Sequence, residues 1–191
     1  MGYPSRRVPL PKVYSMNLVS SEYQQTLIDT HLLTKNAWGG GHSVDKLPKY
    51  EGTLKSLDVK TILDYGCANG KFKVFMSKQR PQYSVQEYDP GIEGKDSPPQ
   101  PADFIVCCDV MEHVEPEYLE AVLSNLKELM IKGGFFNIST KDAITILADG
   151  TNAHKIVKDG SWWVELFSKY FEVTEVEIKR IETNFKVFPK K

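Results

Sequence analysis

The hydrophobic pattern of the chain changes character at Lys60. Before it, Tyr23, Leu27 and His31, flanked by Ile28 and Leu32, recur at helical spacing behind Ser21 and Gln24, a pair that fits a capping box. This helix is expected to stop before residues 37–43, where Gly39, Gly40 and Gly41 predict a mobile or tightly wrapped loop. A short helix is expected over residues 44–57. From Lys60 onward short apolar runs alternate with amphipathic ones. Residues 61–66 read as a buried strand running into a glycine turn. Residues 71–78 read as a helix with Phe72, Phe75 and Met76 on one face, stopped by Pro81. Residues 83–88 are a second strand, and Asp89-Pro90-Gly91 turns the chain into a loop over residues 91–101. Residues 102–110 are a third strand, apolar on both faces as an internal parallel strand is.

The next helix opens near Pro116, with Glu115 and Glu117 at its positive start and a stripe of Leu119, Val122, Leu123, Leu126 and Met130. Lys132-Gly133-Gly134 is expected to end it, and residues 134–140 to form a strand. After a long connection, Ser161 is placed as the cap of a helix that turns Trp162, Trp163, Leu166, Phe167 and Tyr170 inward, one of the two tryptophans being buried. Strands over 171–178 and 183–188, joined by a few residues, should pair antiparallel. The alternation implies an α/β fold: a doubly wound, mostly parallel sheet with helices on both faces.

Composition narrows the class of protein. The chain has 191 residues, 41% hydrophobic and 26% charged, enough for one domain with a proper core. Its net charge of -1 gives no overall pull toward nucleic acid. No apolar run reaches the roughly 18 residues of a membrane span, and no signal peptide is evident at the start. Cys67, Cys107 and Cys108 read as reduced thiols, so a cytoplasmic location is expected, which is the host cytoplasm if the gene is a phage's. Residues 1–57 read as an N-terminal arm with a helical cap or lid, and 58–191 as the catalytic domain; the first 19 residues, with three prolines and two adjacent arginines, look like an arm.

Ligands of open α/β sheets bind beyond the carboxyl ends of the strands. Asp64-Tyr65-Gly66-Cys67-Ala68-Asn69-Gly70 stands at such an end. It is not a triphosphate-binding loop, since three residues rather than four separate the glycines and Lys71 is followed by Phe72. It also lacks the three-glycine dinucleotide fingerprint, and Asp64 would set a carboxylate against a pyrophosphate. A phosphate-free cofactor with a cationic end suits it better, and S-adenosylmethionine has that chemistry.

Residues 62–70 resemble the first motif of the class I S-adenosylmethionine-dependent methyltransferases. Asp89, 19 residues after Gly70, resembles the acidic residue that receives both ribose hydroxyls in that family, and residues 104–119 resemble its fourth strand and following helix. The resemblance implies a Rossmann-like domain, S-adenosylmethionine as cofactor with S-adenosylhomocysteine as product, and a cofactor site of Asp64, Gly66, Cys67, Gly70, Tyr88, Asp89, Asp109 and Val110. One departure stands out. Only 12 residues, Pro90 to Pro101, separate Asp89 from the next strand, so the family's third strand is expected to be missing or vestigial. In this the chain resembles small methyltransferases of bacteriophages.

The catalyst is harder to name, because methyl transfer requires mainly alignment, with a base only when the acceptor is protonated. His113 is one candidate base, against the plainer reading of a packed histidine. His154 lies in the long connection after a strand end, where substrate loops sit. Asp109, Glu112 and His113 would share a face if helical, which fits a metal site; a helix cap with a packed histidine is the favoured reading, and no metal is expected. Trp38 and Gly39-Gly40-Gly41 read equally as a lid or as a plain loop. Cys67 is expected to fill its loop, and Cys107 and Cys108 to face opposite sides of their strand. Neither follows a proline, so the Pro-Cys nucleophile of cytosine methylation is absent. Asp109-Val110-Met111-Glu112 lacks the Pro-Pro-aromatic sequence of amino methylation of bases, which argues against nucleic-acid bases as partners. The expected acceptor is a small molecule, or a hydroxyl or amine exposed on a larger partner. The alternatives are a non-catalytic cofactor-binding or interaction module of the same fold, and a nicotinamide-dependent enzyme.

Overall fold

The computed structural model describes residues 18–35 and 38–190, so most of the proline-bearing arm, with Ala37 of the glycine loop, lies outside the described residues. Helices α1 (Ser21–Leu33), α2 (His42–Asp45) and α3 (Leu47–Ser56) precede the sheet. Then follow β1 (Thr61–Tyr65), α4 (Lys71–Gln79), β2 (Ser84–Tyr88), β3 (Ala102–Cys108), α5 (Leu119–Leu129), β4 (Met130–Ser139), α6 (Gly160–Tyr170), β5 (Phe171–Ile178) and β6 (Glu182–Pro189). The six strands form one sheet in the order β2-β1-β3-β4-β6-β5. The pairs among β1 to β4 are parallel, while β6 runs antiparallel to both β4 and β5.

Strands apolar on both faces need cover on both faces. On one side, Leu63, Ile105, Phe136 and Ile138 pack under α5 and α6, with Trp163 and Phe167 fully buried among them. On the other, Ile62, Phe104, Val106 and Phe135 pack under α3 and α4, against Tyr50, Leu54, Phe72 and Met76. Cys107 and Cys108 fall in these two opposite clusters. No strand occurs among residues 89–101; Asp89 N–H donates to the Lys95 carbonyl and closes a short loop, and β2 is left as the edge of the sheet.

Several boundaries differ from the sequence reading. Ser20 rather than Ser21 caps α1, accepting from the Tyr23 amide, while Gln24 donates to the Pro90 carbonyl instead of closing a capping box. Asp159 rather than Ser161 caps α6. Residues 44–57 hold most of two short helices, the first starting at His42 inside the expected loop. Gly133 and Gly134 do not end α5. The helix stops at Leu129, β4 begins at once, and both glycines lie within it. A Cβ on Gly134 would stand 2.9 Å from Met130 Cε and 3.1 Å from the Ile105 carbonyl, so the residue permits close approach of β3 and β4.

Candidate functional site

The chain runs from β1 outward to β2 and then back across to β3, so the carboxyl ends of these strands flank a switch point where ligands of such sheets bind. A cavity of about 360 Å³ opens there, within the range of small-molecule sites. Its floor is Tyr65, Gly66 and Ala68 after β1, Tyr88 and Asp89 after β2, and Cys108, Asp109 and Val110 after β3. Tyr23, Leu27 and His31 of α1, together with Trp38, Gly39 and Gly40, form a roof. Lys141 to Thr145 and His154 close the far end.

The Gly66 turn is pinned to β2: the amides of Gly66 and Cys67 both donate to the Tyr88 carbonyl, at 2.8 and 3.1 Å. Gly66 has φ +80°, and a Cβ there would stand 2.2 Å from Val110. Asp89 is 7% exposed, and its two oxygens accept from the Ala68 amide (2.8 Å) and the Gly91 amide (2.9 Å). A carboxylate offers about four acceptor positions, so two hydrogen bonds leave capacity for a ligand. Ala68 (φ +44°) and Asp109 (φ +53°) both line the cavity in the left-handed region, which costs about 1–3 kcal/mol per residue. Asp109 Oδ2 lies 2.7 Å from His42 Nδ1, and this hydrogen bond raises the imidazole above its ordinary pKa.

Three residues expected at the cofactor do not reach the cavity. Asp64 is 2% exposed and points to the α3–α4 face, where Ser43 Oγ donates to it at 2.9 Å; burial pushes its carboxyl up to about 7. Cys67 turns its thiol inward toward the Ala68 carbonyl, and burial pushes that thiol up. Gly70 opens α4 with φ +79°, where a Cβ would strike Glu87 and Lys95, neither of which lines the cavity.

Residues 109–113 are not helical as a unit. Met111–His113 is a single 3-10 turn, in which Glu112 is buried and His113 lines the cavity. Glu112 is fully buried. One oxygen accepts from the Ser139 amide at 2.6 Å, while Oε2 finds no donor among the described residues. Burial, and then the charge of nearby Asp109, raise its pKa well above the ordinary range. His113 faces the cavity, between Trp38 (ring centroids 5.5 Å) and His154 (4.7 Å). Its Nδ1 sits 2.8 Å from the Ala153 carbonyl, and burial, with His154 adding to it, pushes the ring down to about 4. His154 Nδ1 sits 2.5 Å from the Lys141 carbonyl. Trp162 and Trp163 lie outside the cavity; Trp163 is buried and Trp162 partly exposed.

A family model described as a methyltransferase domain matches residues 41–182. The chain belongs to that family. Its fold is similar to that of 1,6-didemethyltoxoflavin-N1-methyltransferase from Burkholderia thailandensis. That protein is 13% identical, with 89% of this chain and 90% of that one covered and a TM-score of 0.64. It is also similar to the N-methyltransferase NodS from Bradyrhizobium japonicum, at 14% identity, 88% and 98% coverage and a TM-score of 0.52. At these identities the likeness is one of fold. No curated protein matches the sequence. The methyltransferase sheet here has no strand beyond β2, as expected from the short gap after Asp89. No helix among the described residues is long and apolar enough to cross a membrane.

Sequence reasoning missed His31 and His42 in the methyltransferase cavity. His31 recurs with Tyr23 and Leu27 at helical spacing, a pattern that marks a helix face and not a ligand site. His42 follows the three glycines directly, but no local pattern links it to Asp109, 67 residues on.

Proposed function

We propose that this chain transfers a methyl group from S-adenosylmethionine to an oxygen or nitrogen acceptor, borne by a small molecule or exposed on a larger partner. The observation that carries the reading is Asp89: a carboxylate at the end of β2, fixed by two backbone amides, with acceptor capacity left on the cavity. That residue type and placement suit the two hydroxyls of a ribose. The group fits elsewhere too. Gly66 and Ala68 let a ligand approach the main chain, and Asp109 supplies a carboxylate near a cationic sulfonium or ammonium. Both fold neighbours named above were crystallised with S-adenosylhomocysteine, which supports the choice of cofactor.

When bound, the cofactor supplies a methyl carbon already activated by its sulfonium. The chain supplies position and dryness. Trp38, Tyr23 and Leu27 cover the cavity, and Tyr23 donates its hydroxyl to the His113 carbonyl, tying the roof to the floor. A carbonyl only accepts, so His113 carries its proton on Nδ1 toward Ala153. Its Nε2 lone pair is then available to a proton or to a cation at the acceptor end.

Calorimetric titration with S-adenosylhomocysteine and with a dinucleotide tests the reading. The first should bind and the second should not. Asp89→Ala should weaken S-adenosylhomocysteine by about 1.5–3 kcal/mol, the loss of charged hydrogen bonds. Unchanged affinity in a folded variant removes Asp89 from the site. Turnover to S-adenosylhomocysteine with trial hydroxyl and amine acceptors separates an enzyme from a binding module.

A further inference from the structure

Glu112, His113 and His154 each offer one ligand atom, and these atoms all lie within 4.8 Å of one another. The three come from two segments, the 3-10 turn after β3 and the long connection after β4. These segments are laced together, since the amides of Lys155 and Ile156 both donate to the Glu112 carbonyl. The set is therefore held by tertiary structure.

Two independent features point to a ligand. Glu112 Oε2 is a buried carboxyl oxygen that no donor reaches among the described residues; its sister oxygen is fixed by the Ser139 amide, and the Asp109 carboxyl stands close beside it as a second negative group. A buried carboxyl with an unmatched oxygen is costly unless something positive is nearby. Each imidazole, in turn, has its Nδ1 anchored on a backbone carbonyl, Ala153 for His113 and Lys141 for His154. That anchor fixes the tautomer and leaves Nε2 as the ring's ligand atom, the arrangement in which metal-bound histidines are held by their outer partners.

We propose that Glu112, His113 and His154 form a binding site for a divalent first-row transition ion. Two imidazoles and one carboxylate are the donor set of Zn²⁺, Fe²⁺, Co²⁺ or Mn²⁺ rather than of Mg²⁺ or Ca²⁺, which take oxygen ligands. Donors around such an ion stand roughly 3.4 Å apart for bonds of about 2.1 Å, so modest side-chain rotation closes the set. His154 is partly exposed on a loop, which gives it that freedom. Three protein ligands leave positions open, and His113 and His154 line the acceptor end of the cavity. The open positions take water or an oxygen of the acceptor. The ion occupies the His113 lone pair and so stands in place of a histidine general base. This last step rests on the proposed methyl transfer; the ion site itself does not.

The test titrates the full chain with Co²⁺, followed by its visible absorption, with Zn²⁺ as competitor and S-adenosylhomocysteine titrated separately. One equivalent of Co²⁺ should give ligand-field bands that Zn²⁺ abolishes. His154→Ala and Glu112→Gln should each weaken Co²⁺ by about tenfold or more, and leave S-adenosylhomocysteine affinity within about twofold. Glu112→Gln keeps an oxygen for the Ser139 amide, and thermal melts of both variants report folding. No saturable Co²⁺ or Zn²⁺ uptake at millimolar concentration, by chain that is folded, overturns the site. So does uptake unaltered in both variants. Ion uptake without S-adenosylhomocysteine binding leaves this site standing and removes the cofactor reading.

Discussion

Asp64 and Asp109 occupy the carboxyl ends of neighbouring strands and meet different surroundings. Asp109 reaches the cavity and His42, whereas Asp64 faces the buried side and Ser43. The consequence is measurable in stability. The Asp64 carboxyl rises from its ordinary value near 4 to about 7 on folding, so the native state holds more protons than the unfolded chain between those values. Its contribution to stability therefore declines as pH rises through that window and levels off above it. Asp64→Asn keeps an oxygen for Ser43 and abolishes the titration. Its unfolding free energy, measured in urea, should gain on the parent's between pH 5 and pH 8 by about 1–3 kcal/mol at most. A constant difference across that range would show that Asp64 does not titrate as described. Because Asp64 lies outside the cavity, the same variant should bind S-adenosylhomocysteine as the parent does.

At the scale of the elements, the junction of α5 and β4 has no connecting loop, and its two glycines lie inside the strand. Gly134 pairs with Ile105 in the parallel ladder, and a methyl group there meets the Ile105 carbonyl and Met130. Gly134→Ala should cost about 1–3 kcal/mol, read as a lowered midpoint in urea, despite alanine's ordinary tolerance in strands. An unchanged midpoint would mean that β3 and β4 can part freely. This junction also shows the limit of reading elements from sequence. Strand and helix identities were legible because the alternation of short apolar runs with amphipathic stripes is strong, and the missing third strand was legible from the length of the gap after Asp89. Caps were not. Ser20 and Ser21 are chemically equal, and contacts of Ser20 with Glu115, 95 residues away, select one of them. At the site, Gly66, Tyr88, Asp89, Asp109 and Val110 were legible because strand ends define them. The direction of Asp64, and the approach of His31 and His42, depend on packing between distant segments and leave no local trace.

For the molecule as a whole, the cavity exists only where α1, the glycine loop and the 141–154 connection meet over the sheet. Ser20 and Tyr23 bond to Glu115 and His113, and Thr30 accepts from the Ala148 amide, so α1 is fastened to both the sheet end and the connection. Trp38 leans on His31 (ring centroids 4.8 Å) and His113 above the opening. It is a partly exposed cover, so Trp38→Ala should hardly shift the melting temperature of the free protein. It should speed dissociation of S-adenosylhomocysteine by about tenfold, the worth of roughly 1.4 kcal/mol of lost contact. Stopped-flow release measures this directly, and an unaltered rate would mean that the tryptophan does not cover the ligand.

Dropping one strand from the sheet carries a hazard that reaches beyond the single molecule. It bares the flank of β2, and a naked flank is a template on which other chains stack into fibrils. The chain blunts it with what lies nearby. Glu87 on β2 is held by Lys73 and Lys95, setting charge along the flank, and Gln100 is docked on Gln86 within a stretch where Pro98, Pro99 and Pro101 have no N–H to offer. The short run that stands where the family's third strand would lie thus blunts the edge that its absence leaves on β2.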